Sequence, residues 1–471
     1  MKRHLKNVSL LVSLLTLLSA VSFVGGGAVA TAEISVETEA GLLGALGIID
    51  DKQFFVSNDN ITRGELAELF AKATNHAGSD AESSVFADVP ATHAKARYIY
   101  AAAALRLVNG YSDGRFMPDN KATWEETVKI AVTVLGYGSN AQFKGGYPMG
   151  YLTLANELGI LRGIPYQSSL LVSRRDIVRF LYNVLKADMA VVKGIVVSDG
   201  ESLDVQSKST MLAEYFDVYE RAGKVTANHN SAIYGKSNLK KGFVEIENTT
   251  YDAGDSGTSA LLGYMARFFY QDNDSDTPVI LYAYKDPSRN DEFTVLAEDL
   301  VNASASSVTY SVNGRTKTAS VPVDADLIFN GKAQTSFDGT MLRPQAGSVT
   351  FVTVGNGSTN NLIIVNSWEN CVVNAVNTMD KIILDKYLPE RNIHLDKTAA
   401  GEDVDYTVTD KGGEPFALSS IREWHVLSFK RSIDGSLVEI VVSAQSVIGT
   451  ADEIGENTVS IGGTEYEYAE S

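Results

Sequence analysis

Residues 86–137 read FADVPATHAKARYIYAAAALRLVNGYSDGRFMPDNKATWEETVKIAVTVLGY, which spells helix, tight turn, helix. Tyr98, Ala102 and Leu105 recur at i, i+4 and i+7, the spacing of one helix face. Asn109-Gly110-Tyr111-Ser112-Asp113-Gly114 stops that helix, with two glycines available for the positive φ of a sharp reversal. Thr123-Trp124-Glu125-Glu126 restarts a helix as a capping box, in which Thr123 accepts from the Glu126 amide and Glu126 reaches back. Val128, Ala131, Val132 and Leu135 then line one face. Neither short helix buries its stripe alone, so the stretch requires neighbours built the same way.

Those neighbours lie on both sides. Thr62-Arg63-Gly64-Glu65 is a second capping box, followed by Leu66, Leu69, Phe70 and Ala73 on one face. Ser173-Arg174-Arg175-Asp176 is a third and weaker box, leading into Ile177, Phe180, Leu181, Val184 and Leu185. Helix ends precede each box at Leu46-Gly47-Ile48, Leu107-Val108-Asn109-Gly110 and Leu158-Gly159-Ile160. Three copies, at about 33–84, 85–140 and 141–190, make a helical repeat region over residues 33–190.

The pattern resembles the S-layer homology family. The middle copy carries the resemblance at Phe86, Asp88, Val89, His93, Gly110, Tyr111, Asp113, Gly114, Phe116 and Pro118, and the flanking copies keep mainly the Gly-Ile and Thr-Arg-x-Glu-like elements. It implies an all-α module of three helix–turn–helix prongs that binds secondary cell-wall polysaccharide beneath a bacterial surface layer. Two positions depart from the family: Ala94 stands where it has tryptophan, and Trp124 where it has arginine.

Composition narrows the remaining possibilities. Lys2, Arg3 and Lys6 precede an apolar run from Val8 to Val24 and then small residues, the pattern of a secretory signal peptide over residues 1–32. No later stretch approaches the length of a membrane span, so none is expected after signal removal. The chain's formal charge is −18, and three basic with no acidic residues before Glu33 leave −21 for the rest. Such a chain repels nucleic acid and anionic lipid. Cys371 is the sole cysteine, so no intramolecular disulfide forms despite export.

Residues 191–215 read as a linker, with a short polar helical piece near 206–218. Residues 216–471 alternate Val, Ile, Thr and Tyr with polar residues between Gly, Asn and Asp clusters, as in Val279–Tyr284 and Val349–Val354. That is an antiparallel all-β region of two or more sandwich-like or barrel-like modules. Residues 362–384 line up with 438–461, a sign of internal repetition. A module begun near Val438 has only some 30 residues, so it either closes on the preceding unit or belongs to a longer chain.

The candidate chemistry concentrates at the capping boxes. Arg63 and Arg174 occupy the first helical position, beside free backbone amides and the positive helix end, where a carboxylate gains from the dipole and a guanidinium fork. Their alternative role is a brace paired with Glu65 or Asp176. Trp124 either stacks on a sugar face or packs between prongs. Asp113 serves first as a turn residue that satisfies local amides, and is carried as a candidate contact. The resemblance adds Arg97 and Tyr98, on the family's ligand-side helix, and a polymer bearing pyruvate ketals, which are carboxylates on a sugar.

Other motifs are weaker. Gly254-Asp255-Ser256-Gly257 echoes a serine-protease fragment without a histidine and aspartate placed to form a triad. Asp272-Asn273-Asp274-Ser275-Asp276 resembles the start of a calcium loop but lacks its glycine and distal glutamate, so a polar turn is expected, with calcium as the alternative. No catalytic residue, metal set or other cofactor is expected. The reading is a non-catalytic protein of a Gram-positive-type cell surface, secreted, held to the wall polymer, with β modules projecting or self-associating in a surface layer. An anchored adhesin or a polysaccharide-active enzyme is the alternative.

Overall fold

A computed structural model describes residues 34–50, 54–57, 59–76, 78, 85–167, 170–197, 201–272, 277–355, 357, 359–444, 449–455 and 458–467, with backbone alone for 191–208 and 467. Residues 1–32, read above as a signal peptide, and 273–276 of the aspartate-rich stretch lie outside these residues. The chain is multidomain, helical in its N-terminal part and built of β-sheets beyond it.

Among the described residues seven helices make the first part: α1 (Val36–Ala45), α2 (Arg63–Ala73), α3 (Ala96–Ala104), α4 (Trp124–Val134), α5 (Gly138–Phe143), α6 (Met149–Glu157) and α7 (Arg174–Lys186). Thr62 and Thr123 cap α2 and α4 in full capping boxes with Glu65 and Glu126. Ser173 caps α7 through the Asp176 amide; the shorter Asp176 side chain accepts from Ser173 Oγ at 2.7 Å. Each capped helix buries the face its spacing predicts, including Phe70, Val128, Ala131, Phe180 and Leu181. α3 differs, because its buried face is Ile99, Tyr100 and Ala102 while Leu105 is exposed.

The three helix ends are equivalent, though not where the Gly-containing pattern places the middle one. Gly47 and Gly159 are left-handed at φ 69° and 70°, and Ile48 and Ile160 donate back to Leu43 and Ala155. In the middle, Arg106 takes that conformation at φ 59° and Leu107 donates to Ala102. An arginine thus stands at a position that favours glycine. In the following turn Gly114 supplies positive φ (78°), whereas Gly110 is needed for space: a Cβ there would lie 2.7 Å from the Phe86 ring and 2.9 Å from the Arg115 carbonyl.

A closed ring of backbone hydrogen bonds organises these helices. Ile61 N–H donates to Val172 O at 2.9 Å, Val172 to Ala122 at 3.1 Å, and Ala122 to Ile61 at 3.0 Å. A second ring runs from Arg63 to Asn120, Trp124 to Leu170 and Arg174 to Asp59, at 2.8, 3.1 and 3.0 Å. Ile61, Ala122 and Val172 are fully buried at the centre. Around the ring α3 packs on α2 and α6 on α4, and α1 closes the circle on α7. Arg179 of α7 fastens that closure, donating to Glu39 at 2.9 Å and to the Ile34 carbonyl at 3.1 Å. Each pair therefore joins a capped helix to a helix from another stretch of the chain.

Where the sequence reads as a linker, the backbone forms a hairpin, β1 (Asp188–Val197) and β2 (Glu201–Thr210), then α8 (Met211–Phe216). Val and Ile in 191–197 favour strand, and Ala190 docks the hairpin by donating to Leu135 O at 2.8 Å. A closed barrel follows in the order β3-β4-β5-β7-β6, from β3 (Val218–Asn228), β4 (Phe243–Ile246), β5 (Thr249–Asp252), β6 (Met265–Gln271) and β7 (Val279–Lys285). The barrel is fused to the helical part. Met211, Val218, Phe269 and Tyr284 belong to the helical core, and the Tyr282 ring lies where a Cβ on Gly41 of α1 would be. Tyr182 and Tyr284 share a hydroxyl hydrogen bond of 3.1 Å, beside the chain of pairs Lys186–Glu220–Arg267–Asp286.

Two further β units repeat the barrel's path. In the barrel the first strand pairs with the penultimate one, which pairs with the last, and the last runs parallel to an earlier short strand. Asn290–Leu296, Gly347–Val354, Leu362–Ser367 and Asp326–Phe329 do the same, as do Glu369–Asn377, Val426–Arg431, Leu437–Ser443 and Asp405–Asp410. Each unit has its own apolar core, around Phe351 and Ile363 and around Cys371 and Phe429. A three-stranded meander at Ala451–Ile454, Thr458–Ile461 and Thr464–Glu467 comes last. Among the described residues no helix is long and apolar enough to cross a membrane.

Candidate ligand-binding groove

The ring geometry decides where the capping-box residues point. Arg63 opens α2 but reaches across to α4, where its guanidinium pairs with Glu126, the glutamate of the next capping box. Its Nε donates to Phe116 O at 3.0 Å and its second amino group to Asn109 O at 3.4 Å. The plane lies 4.9 Å from the Tyr111 ring centre and 4.8 Å from that of Phe116. Arg174 repeats the move one step round the ring, pairing with Glu65 of α2 and stacking 4.6 Å from the Phe54 ring. Both arginines thus pair across the ring; Glu65 is a partner that the brace reading names, whereas no spacing rule connects residues 63 and 126.

Trp124 holds the corresponding place between α4 and α7. It is 2% exposed and packs edge-on against Phe180 at 5.4 Å and Tyr166 at 6.4 Å. An arginine on one side and an indole on the other thus make one junction polar and one apolar.

The polar junction is hollow. A groove of about 260 Å³ lies over Arg63, Glu126 and Phe116, walled by Tyr111, Tyr147 and Lys129, with the Asn109–Gly110 backbone along one edge. Tyr111 and Tyr147 are 44% and 50% exposed, so both rings offer faces to the groove's contents. Asp88 fixes the edge: its carboxylate accepts from the Phe116 and Met117 amides at 2.7 Å each. Burial pushes its pKa up, but those two amides outweigh it and hold the carboxyl below the usual range. A groove with two amphipathic rings, backbone carbonyls and a fixed cation fits a sugar, whose apolar face stacks while its hydroxyls and acids bond.

The remaining sequence candidates lie elsewhere. Asp113 is exposed and ties its own turn, accepting from Arg115 N at 3.1 Å and Arg115 Nε at 2.7 Å. Arg97 is exposed on α3, its guanidinium 5.4 Å from the Tyr98 ring, which also faces Lys72 at 5.5 Å. The structure brings Arg63 together with Tyr111 and Glu126, and does not bring Arg97, Tyr98, Asp113 or Arg174 into that groove. Sequence reasoning missed Tyr147 and Lys129; Lys129 sits one turn beyond Glu125 on an outward α4 position, a signal available only once the groove's side is known. Ser256 of the protease-like fragment shares a hydrogen bond of 2.7 Å with Thr258 in a turn.

A larger hollow of about 400 Å³ on the barrel's outer surface involves Lys224, Tyr234, Glu245 and Glu247. Its charges are already matched: Lys224 Nζ to Asp326 at 2.7 Å, Glu245 to Thr226 at 2.9 Å, Glu247 to the Lys224 amide at 2.9 Å. Among the described residues no group of three or more His, Cys, Asp or Glu could hold a metal ion.

Comparison with known proteins converges on the same stretch as the groove. The S-layer homology domain model matches residues 85–127, which include Tyr111, Phe116 and Glu126. The chain is similar to the Middle cell wall protein of Brevibacillus brevis, 31% identical over 165 residues, which are 34% of this chain and 15% of that protein. It is similar to the Surface layer protein of Brevibacillus choshinensis, 30% identical over 113 residues, 23% of this chain and 10% of that one. The Cell surface protein of Thermoanaerobacter kivui is 28% identical over 108 residues, 23% of this chain and 14% of its own. The chain thus spans less than a sixth of the length of each.

Proposed function

On the premise that the chain carries an S-layer homology domain, we propose that it is a non-catalytic cell-surface protein held to secondary cell-wall polysaccharide by its helical region. The three capped-helix units are then three S-layer homology repeats arranged as prongs, and the β units are the part that projects from the wall or associates with other copies. The observation that carries this reading is the groove at Arg63, built largely from the matched stretch. The names of the similar proteins, a cell wall protein, a surface layer protein and a cell surface protein, support the location. The polymer is an acidic one, with pyruvate ketals as the expected carboxylates.

Arg63 forms the groove floor, and Arg174, paired with Glu65, is proposed as a further contact for the polymer. Arg97, Tyr98 and Asp113 lie outside the groove and serve, if the polymer is long, as contacts along the helical surface. The test is co-sedimentation of the chain with purified Gram-positive walls before and after the secondary polymer is stripped. Binding should be lost with the polymer. Undiminished binding to bare peptidoglycan would overturn the proposal.

A further inference from the structure

We infer that Lys129, rather than Arg63, is the cation that selects an acidic sugar in the groove, with the ring of that sugar held between Tyr111 and Tyr147. This rests on the wall-binding reading above and specifies which group meets the ligand's charge.

Arg63 is already committed. Its guanidinium gives one nitrogen to Glu126, one to the Phe116 carbonyl and one to the Asn109 carbonyl, and its side chain is 11% exposed. Pulling it onto a ligand leaves Glu126 without its cation. A carboxylate arriving there gains one charged pair by breaking another, a poor exchange. Lys129 is differently placed. Among the described residues no carboxylate lies within ion-pair distance of its Nζ, which sits 5.4 Å from the centre of the Tyr147 ring. Lysine is a mobile point charge on a long stem, able to follow a carboxylate wherever the sugar presents it.

The surroundings make that charge useful. Glu126 lines the groove, so it has a carboxylate of its own and an incoming anion needs a cation that this carboxylate does not occupy. The chain as a whole is strongly acidic at −18, so capture of an anion depends on a local charge of this kind. Tyr111 and Tyr147, half exposed, supply stacking faces for an uncharged ring and contribute whatever the acid does. The groove thus divides recognition: rings for the sugar, Lys129 for its acid, Arg63 for the shape of the floor.

The experiment titrates the full chain with polysaccharide released from Brevibacillus brevis walls, native and with its carboxylates reduced to alcohols. Wild type should bind the native polymer about tenfold to a hundredfold more tightly than the reduced one. Lys129→Gln should lose that preference while binding the reduced polymer as wild type does. Lys129→Arg should keep most of it. Melting curves should change little, since the one side-chain contact given up is the exposed cation–π pair with Tyr147. Lys129→Gln retaining full preference for the native polymer overturns the assignment, as does a wild type that binds both forms equally. A wild type that binds neither overturns the wall-binding reading itself.

Discussion

The Arg63 and Trp124 junctions occupy equivalent places on one ring and are opposite in kind. Each residue stands first in its helix and leans across to the next capped helix, Arg63 to Glu126 of α4 and Trp124 to Phe180 of α7. The backbone beneath them is the same, with Arg63 and Trp124 amides donating to Asn120 and Leu170 in matching fashion. What differs is the side chain. A guanidinium must keep its hydrogen bonds and leaves space above itself; an indole fills space and excludes water. One residue position therefore sets whether a junction is an open groove or a closed piece of core.

Trp124→Ala is the severest way to break this contrast. It removes a buried ring and leaves a cavity against Phe180, so a stability loss of about 3–5 kcal/mol is expected in chemical denaturation followed by helical circular dichroism. If the loss is below about 1 kcal/mol, the apolar junction is not core. Arg63→Ala comes next. Leaving Glu126 without its cation should cost about 1–3 kcal/mol and reshape the groove floor, with wall-polymer affinity falling about tenfold in calorimetry.

Arg174→Ala sharpens the comparison by probing a second arginine junction that has fewer bonds, one pairing with Glu65 and one ring contact with Phe54. A cost of about 1 kcal/mol is expected. The mildest change acts away from both junctions, on the odd helix end. Arg106→Gly should stabilise the middle unit by about 0.5–1 kcal/mol, because glycine takes the left-handed conformation that Arg106 adopts at φ 59°. Thermal unfolding compared with wild type reads it directly.

Much of the helical part could be read from residues alone because its signals are local. A threonine and a glutamate three apart announce a helix start, and Thr62, Thr123 and Ser173 open the helices expected. Arg106 shows where local reading fails: without a glycine at that position, the pattern puts the middle helix end a few residues late. The pairing of Arg63 with Glu126 was hidden for a different reason, since it follows from closing a ring through Ile61, Ala122 and Val172 rather than from spacing. Residues 191–215 read as a linker because the polar strand Glu201–Thr210 gives little sign of pairing. Strand content beyond residue 216 was plain, but not that β3 closes onto β6. Of the groove, Arg63 and Tyr111 were visible as motif residues, whereas Tyr147 and Lys129 come from ordinary stretches brought over it by α4 and the turn before α6.

The shared core of the helical part and the barrel has a mechanical meaning. A tension applied to the β units and resisted at the groove does not pass through a slack tether. It crosses from the barrel into α1 where Tyr282 sits against Gly41, and into α7 through Tyr182 and Lys186. Those two helices are the pair that closes the ring, locked by Arg179 on Glu39. A load on the barrel would therefore enter the helical part at the ring's clasp, through α1 and α7 together rather than through either alone. The barrel thus joins the helical part through packed side chains, Met211, Val218, Phe269 and Tyr284 lying in the helical core.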